Sequence, residues 1–165
     1  MHLTALFPHL AGLRIDDVTV RDDCVSLMAT TTRRATSCPL CHRRSCRVHN
    51  HYRCRVADLL IGSMPVTLFL HARRFRCVNP RCPRRIFAER IPALVAPGGR
   101  RSHQLRAALE RVAFALGGEA GARLASALGI PTTPDVLLWL IRAAPLPDVG
   151  APQRVDVDDF ALRKG

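Results

Sequence analysis

Cys38-Pro39-Leu40-Cys41 and Cys77-Val78-Asn79-Pro80-Arg81-Cys82 are the two stretches on which the fold of this chain turns. Two cysteines separated by two residues share one tight loop, so both sulfurs face the same point and nearby backbone amides stabilise negative sulfur. The second pair has four residues between its cysteines, with Asn79-Pro80 as a turn inside it. Four thiolates at one point suit a tetrahedral ion that prefers soft ligands, and zinc is the expected one. The sequence thus predicts a structural zinc site made of Cys38, Cys41, Cys77 and Cys82. The 35 residues between the pairs exceed the need of a minimal ribbon and leave room for a hairpin between the knuckles.

Disulfides are the competing use of seven cysteines. Met1-His2-Leu3-Thr4 shows no charged segment ahead of an apolar block, so no secretory signal is visible. A reducing, cytoplasmic setting is the expectation, and it favours metal. Cys24, Cys46 and Cys54 are left over and read as small buried hydrophobes. A site in which His42, His49 or His51 replaces a thiolate stays open, although four cysteines need none of them. Nothing in the spacing pairs one particular Cys with a His as a nucleophile. Zinc also answers a stability question, since about 60 Arg-rich residues with few aromatics bury little core and a structural metal adds folding energy directly.

Outward from the cysteines, charge is the next signal. The 165 residues carry a formal net charge of +12. All the basic residues are arginine except Lys164, and arginine forks two donors onto a phosphate or a guanine edge. From Thr30 to Arg106 there are 17 Arg against Asp58 and Glu89, a balance of +15, while the rest sums to −3. A basic segment between near-neutral ones points to a polyanion surface. At 48% hydrophobic residues the chain is neither disordered nor fibrous. No apolar run reaches the roughly 18 residues of a membrane helix, and no basic amphipathic helix lies in the basic window, so no membrane partner is expected.

The flanks are less specific. Leu13-Arg14-Ile15, Val18-Thr19-Val20 and Cys24 to Met28 alternate around Asp22-Asp23, which predicts an N-terminal β-hairpin within 1–32. A zinc-ribbon-like domain over 33–91 has one clear strand from Pro65 to Cys77. A Pro/Gly/Arg linker, Pro92 to Ser102, then leads into a helical segment, the two together spanning 92–144. Leu105, Leu109, Val112 and Leu116 form one helix face, and Gly117-Gly118 ends it. Glu119 to Leu128, Gly129-Ile130-Pro131 and Pro134 to Ala143 read as a helix-turn-helix. Leu124 and Leu128 can face the core, Ala125 is small enough for close helix contact, Thr133 is the expected N-cap, and Gly129 sits in the positive-φ turn. Leu137, Leu140 and Ile141 share one side of the last helix, leaving Asp135, Trp139 and Arg142 on a face that could meet the major groove. A plain helical hairpin packed between domains is the other reading. Residues 145–165 comprise a linker and a terminal strand in which Val155 and Val157 alternate with Asp156 and Asp158. The fold class is therefore α+β: a small β-rich zinc-ribbon-like domain, a helix-turn-helix segment and a terminal strand.

Several words then occur in order: Cys38-Pro39-Leu40-Cys41, Val48-His49 to Tyr52, Asp58-Leu59 and the unbroken run Arg73 to Arg90. Gly117-Gly118-Glu119-Ala120-Gly121 and Val157-Asp158-Asp159-Phe160-Ala161-Leu162-Arg163-Lys164-Gly165 follow. Over about residues 36 to 165 they resemble the N-terminal half of bacterial insertion-sequence transposases of the ISL-three family, which carry a zinc finger ahead of a DDE catalytic domain. Two positions depart from the family pattern: Leu60 stands where Pro is usual, and Val136-Leu137-Leu138-Trp139 replaces Thr-Leu-Leu-Arg.

The resemblance implies a DNA-binding region that recognises insertion-sequence ends for DNA transposition, a form of DNA recombination. Its partner would be double-stranded DNA at terminal inverted repeats, and homo-oligomerisation is left open. Arg73, Arg74, Arg76, Arg84 and Arg85 are the expected phosphate contacts, Arg100 and Arg101 reach towards a minor groove, and Asp135, Trp139 and Arg142 complete the DNA-binding set. The resemblance also makes Asp158 the first carboxylate of a ribonuclease-H-like centre, with Asp159 the runner-up. That centre would use Mg²⁺ only in a full-length catalytic form. The chain stops at Gly165 before further carboxylates, so no catalysis is expected of it. The alternative is a stand-alone zinc-ribbon/helix-turn-helix DNA-binding regulator or a competing truncated transposase.

Overall fold

The computed structural model describes residues 7–21 and 23–145. The predicted terminal strand, with Asp156, Asp158 and Asp159, lies outside them. Among the described residues a 3₁₀ turn (Pro8–Leu10) precedes seven strands: β1 (Leu13–Arg21), β2 (Cys24–Thr31), β3 (Thr36–Ser37), β4 (Arg44–Ser45), β5 (Val48–Ile61), β6 (Met64–Arg76) and β7 (Ile86–Ala88). Three helices follow, α1 (His103–Leu116), α2 (Glu119–Ala127) and α3 (Pro134–Ala143). The class is α+β, strands first and helices after.

The alternating segments on either side of Asp22-Asp23 pair antiparallel as β1 and β2, with Arg21 opposite Cys24. β2 then runs parallel to β6, with Leu27 opposite Leu68, and β6 pairs antiparallel with β5. The path β1-β2-β6-β5 is extended by β7 on β6 beyond the end of β2, while β3 and β4 form a separate two-stranded ribbon. The period-2 pattern explains the core. Val25, Leu27 and Ala29 of β2, Val66, Leu68 and Leu70 of β6, and Val56 of β5 are all buried. They share one sheet face, which Leu10 from the 3₁₀ turn and Leu94 cover.

The predicted strand from Pro65 to Cys77 is found as β6, one residue displaced. Its 14-residue partner β5 was missed. It begins Val48-His49-Asn50-His51-Tyr52-Arg53, a nearly all-polar half whose side chains are largely exposed, so hydrophobic alternation is legible only from Cys54 onward.

Helix α1 begins at Ser102, whose side chain accepts from the Leu105 backbone N–H. Its buried face is Leu105, Leu109 and Ala113; Val112 is half-buried and Leu116 turns outward, a correction to the expected face. The turn between α2 and α3 places Gly129 at φ 80°. A side chain there would be strained in the left-handed region. Thr133 caps α3 through a bond from Val136 N, with Pro134 first in the helix.

The expectation that Leu124 and Leu128 face the core is wrong. Both are exposed, and α2 instead buries Gly121, Ala122 and Ala125. Small residues win because α2 lies close to α1 and α3. A Cβ on Gly121 would come within 2.8 Å of Leu137 Cδ1, a distance no leucine-sized side chain could share.

Candidate metal centre and nucleic-acid interface

The first cysteine pair sits on a turn between β3 and β4. His42 N–H donates to Cys38 O and Cys38 N–H to Arg43 O, and His42 takes a left-handed φ of 58° to close the turn. The second pair lies between β6 and β7. Asn79 Oδ1 accepts from Arg81 N–H, Asn79 O accepts from Cys82 N–H, and Cys77 N–H donates to Arg85 O. Asn79 thus supplies the expected turn.

Buried Ser45 joins the knuckles. Its hydroxyl donates to Arg76 O at 2.6 Å and accepts from Arg47 N–H. In turn Arg76 N–H donates to Arg47 O, which sets the two loops side by side.

The four sulfurs of Cys38, Cys41, Cys77 and Cys82 all lie within 4.8 Å of one another. Cys38 and Cys82 are 4.0 Å apart and Cys41 and Cys77 3.5 Å. Zinc–sulfur bonds of about 2.3 Å put tetrahedral sulfurs about 3.8 Å apart, so the donor set fits that ion. A disulfide would need about 2.05 Å. Cys38 and Cys82 are buried against Phe75 and Phe87, whose rings stack with centroids 6.1 Å apart.

The electrostatics agree with a cation-requiring site. The backbone N–H of Arg43, the largest influence, pulls the Cys41 thiol down to about 6. At Cys77 the Asn79 N–H works the same way, but burial and the neighbouring sulfurs outweigh it and hold the thiol up at about 12. Burial also raises Cys82. Four adjacent sulfurs do not ionise together without a positive ion between them. Bound there, zinc would supply cross-linking of the two knuckles and no open coordination position.

Cys24 and Cys54 are half-buried and Cys46 is exposed. Burial as a small hydrophobe therefore fails for Cys46. None of the three joins the sulfur cluster, and among the described residues no histidine does.

The arginines divide. Arg73 is taken up by the fold: its guanidinium grips Glu89 with two bonds of 3.0 and 2.9 Å. It also donates to Thr31 Oγ1 and to Arg33 O. With both ends of that pair largely buried, Arg73, expected as a phosphate contact, is engaged within the fold. Arg74 stacks over Tyr52, 4.6 Å from the ring centroid. Arg76, Arg84 and Arg85 are exposed, and Arg85 also donates to Pro80 O.

Arg84, Arg100 and Arg101 come together in a groove of about 1160 Å³ that runs along β5 from Pro39, beside the cysteines, to the Gly129–Pro131 turn. Arg53, Arg55 and Arg90 line it too, and sequence reasoning missed all three. The alternation Arg53-Cys54-Arg55-Val56 was the available signal, one arginine on every second residue of a half-buried strand.

The predicted linker is not free. Ala57 N–H donates to Arg100 O and Ala57 O accepts from Ser102 N–H, each at 2.8 Å. Ala57 therefore points its backbone groups away from β6, and strand alternation makes Arg53 and Arg55 do likewise. The groove offers an anion both guanidinium groups and strand-edge N–H donors. Asp135, Trp139 and Arg142 are exposed on α3 and line no part of it; the Arg106 guanidinium lies over Trp139, 5.3 Å from the indole ring centroid. Among the described residues no helix is long and apolar enough to cross a membrane.

No curated protein and no solved structure matches the chain. Residues 34–82, which hold all four clustered cysteines, match the family model described as the zinc-finger of transposase IS204/IS1001/IS1096/IS1165, and this segment is similar to the zinc-finger of those transposases.

Proposed function

We propose that this chain is the DNA-binding N-terminal region of an insertion-sequence transposase of the ISL-three type, stabilised by one structural zinc and recognising the ends of its element. The observation that carries the reading is the arginine-lined groove that begins at the cysteine cluster of a transposase-type zinc-finger. Arg53, Arg55, Arg84, Arg90, Arg100 and Arg101 track the phosphates of duplex DNA, and Arg74, Arg76 and Arg85 extend the basic surface. α2 and α3 act as a helix-turn-helix whose outer residues Asp135, Trp139 and Arg142 touch the bases or sugar edges. In the family pattern Asp158, with Asp159 as runner-up, supplies the first carboxylate of the catalytic domain.

The test is binding of the zinc-loaded protein to the element's terminal inverted repeats and to scrambled duplex over a salt series. Tighter binding to the repeats, with affinity falling steeply as salt rises, is expected. Equal affinity for both duplexes removes end recognition, and an affinity flat between low and physiological salt removes the phosphate groove.

A further inference from the structure

The basic window contains two acids, and both are buried. Glu89 answers Arg73. Among the described residues Asp58 has no arginine partner; it sits where three distant pieces of chain meet.

Its Oδ1 accepts from the Ser102 hydroxyl and, at 2.9 Å, from Leu59 N–H. Its Oδ2 lies 2.7 Å from His9 Nε2. Ser102 is fully buried and is the N-cap of α1, so the hydroxyl that donates to Asp58 also accepts from Leu105 N–H. His9 belongs to the 3₁₀ turn whose Leu10 closes the sheet core. The neighbouring residue, Ala57, holds Arg100 and Ser102 on the strand edge.

Two separate apolar cores flank this point. Val56 belongs to the sheet core, whereas Ala57 and Leu59 pack on the helical core of Leu105, Leu109 and Leu137. Apolar contact is non-directional and does not by itself set the angle between two bodies. Hydrogen bonds to a carboxylate do.

We propose that Asp58 is a positioning residue: through Ser102 it locks the start of α1 and the Arg100–Arg101 strap onto the edge of β5, so that the basic groove and the helical trio present one continuous surface to DNA. The proposal rests on the DNA-binding reading for its purpose, but its mechanical part can be tested without DNA.

The experiment uses the full chain with zinc bound, comparing Asp58→Asn with the parent. In hydrogen exchange, faster exchange is expected at the amides of Ala57, Ser102 and Leu105, with the cysteine knuckles unchanged. Unchanged protection at those three amides overturns the proposal whether or not the protein binds DNA.

On a duplex carrying the terminal repeat, Asp58→Asn is expected to weaken binding about tenfold and to make the salt dependence shallower by about two phosphate contacts. In a double-mutant cycle, replacing Arg100 and Arg101 by Ala should then have little further effect in the Asp58→Asn background. Full additivity would overturn the proposal, because a role confined to general stability leaves the two arginines working independently. Ser102→Ala removes the hydroxyl link together with the cap bond from Leu105 N–H, so its deciding readouts are the Ala57 amide and the lost additivity with Arg100 and Arg101, and these decide the matter if Asp58→Asn fails to fold. If the parent itself binds no duplex while the exchange result holds, the DNA reading fails and the positioning role stands.

Discussion

The cysteine module and the helical trio are held together by opposite means. Around the knuckles few side chains are fully buried: Phe75, Phe87, Cys38 and Cys82 form a core of four. The loops are shaped by backbone hydrogen bonds that aim sulfur at one point. In the trio the core is made by closeness, with Gly121, Ala122 and Ala125 letting α2 approach its neighbours. One module concentrates its stability in a single metal, and the other spreads it over many small contacts. The first should therefore fail all at once and the second by degrees.

The largest expected effect follows from taking the metal away. A structural zinc contributes on the order of 10 kcal/mol in small metal-dependent folds, more than a core of four residues can replace. Chelation, or Cys38→Ser, should make the two knuckles, residues 36–45 and 77–88, sensitive to trypsin while the sheet core of Val56, Leu68 and Leu70 and the helical signal of α1 to α3 persist in circular dichroism. Full protease resistance of the zinc-free form would break the comparison. The pH dependence has a definite sign. Zinc must displace protons from Cys77 and Cys82, whose thiols are raised, and below about 6 from Cys41 as well. Zinc affinity should thus fall as pH falls, more steeply below pH 6, which titration against a competing chelator measures.

Next in size is the buried ion pair. Glu89→Ala leaves Arg73 largely buried without its carboxylate and should cost about 3 kcal/mol, read as a drop in the denaturant midpoint. A negligible change would return Arg73 to the list of free phosphate contacts. Gly121→Val pushes a side chain into Leu137 and should destabilise the trio by about 1–3 kcal/mol, lowering thermal stability without loss of zinc. Loss of zinc in that variant would show that the two modules are not independent. The smallest effect is expected for Thr133→Ala, about 1 kcal/mol from one helix cap, seen as faster amide exchange at Val136.

These contrasts also explain what was legible in advance. The cysteine cluster was readable because ligand spacing is local, and a turn of fixed geometry follows from Cys38-Pro39-Leu40-Cys41 alone. Gly129, Thr133 and Pro134 were readable for the same reason, since caps and positive-φ turns depend on neighbours in sequence. β5 was not, because its first half pairs through backbone bonds and carries no apolar stripe. The burial of α2 was legible only in part: Ala125 is the small contact its size suggested, but at a close crossing Gly121 and Ala122 go inside with it, and Leu124 and Leu128 are left out.

What the sequence determined by itself is the identity of the four thiolates, the excess of arginine and the limits of the helices, all consequences of short-range chemistry. Only the tertiary structure decided which arginines are free. Arg73 and Arg84 look alike on the chain, yet one is locked to a carboxylate 16 residues away and the other lines a groove. Partnership of that kind is a property of register between β6 and β7, and register is set by how the whole sheet buries its apolar face.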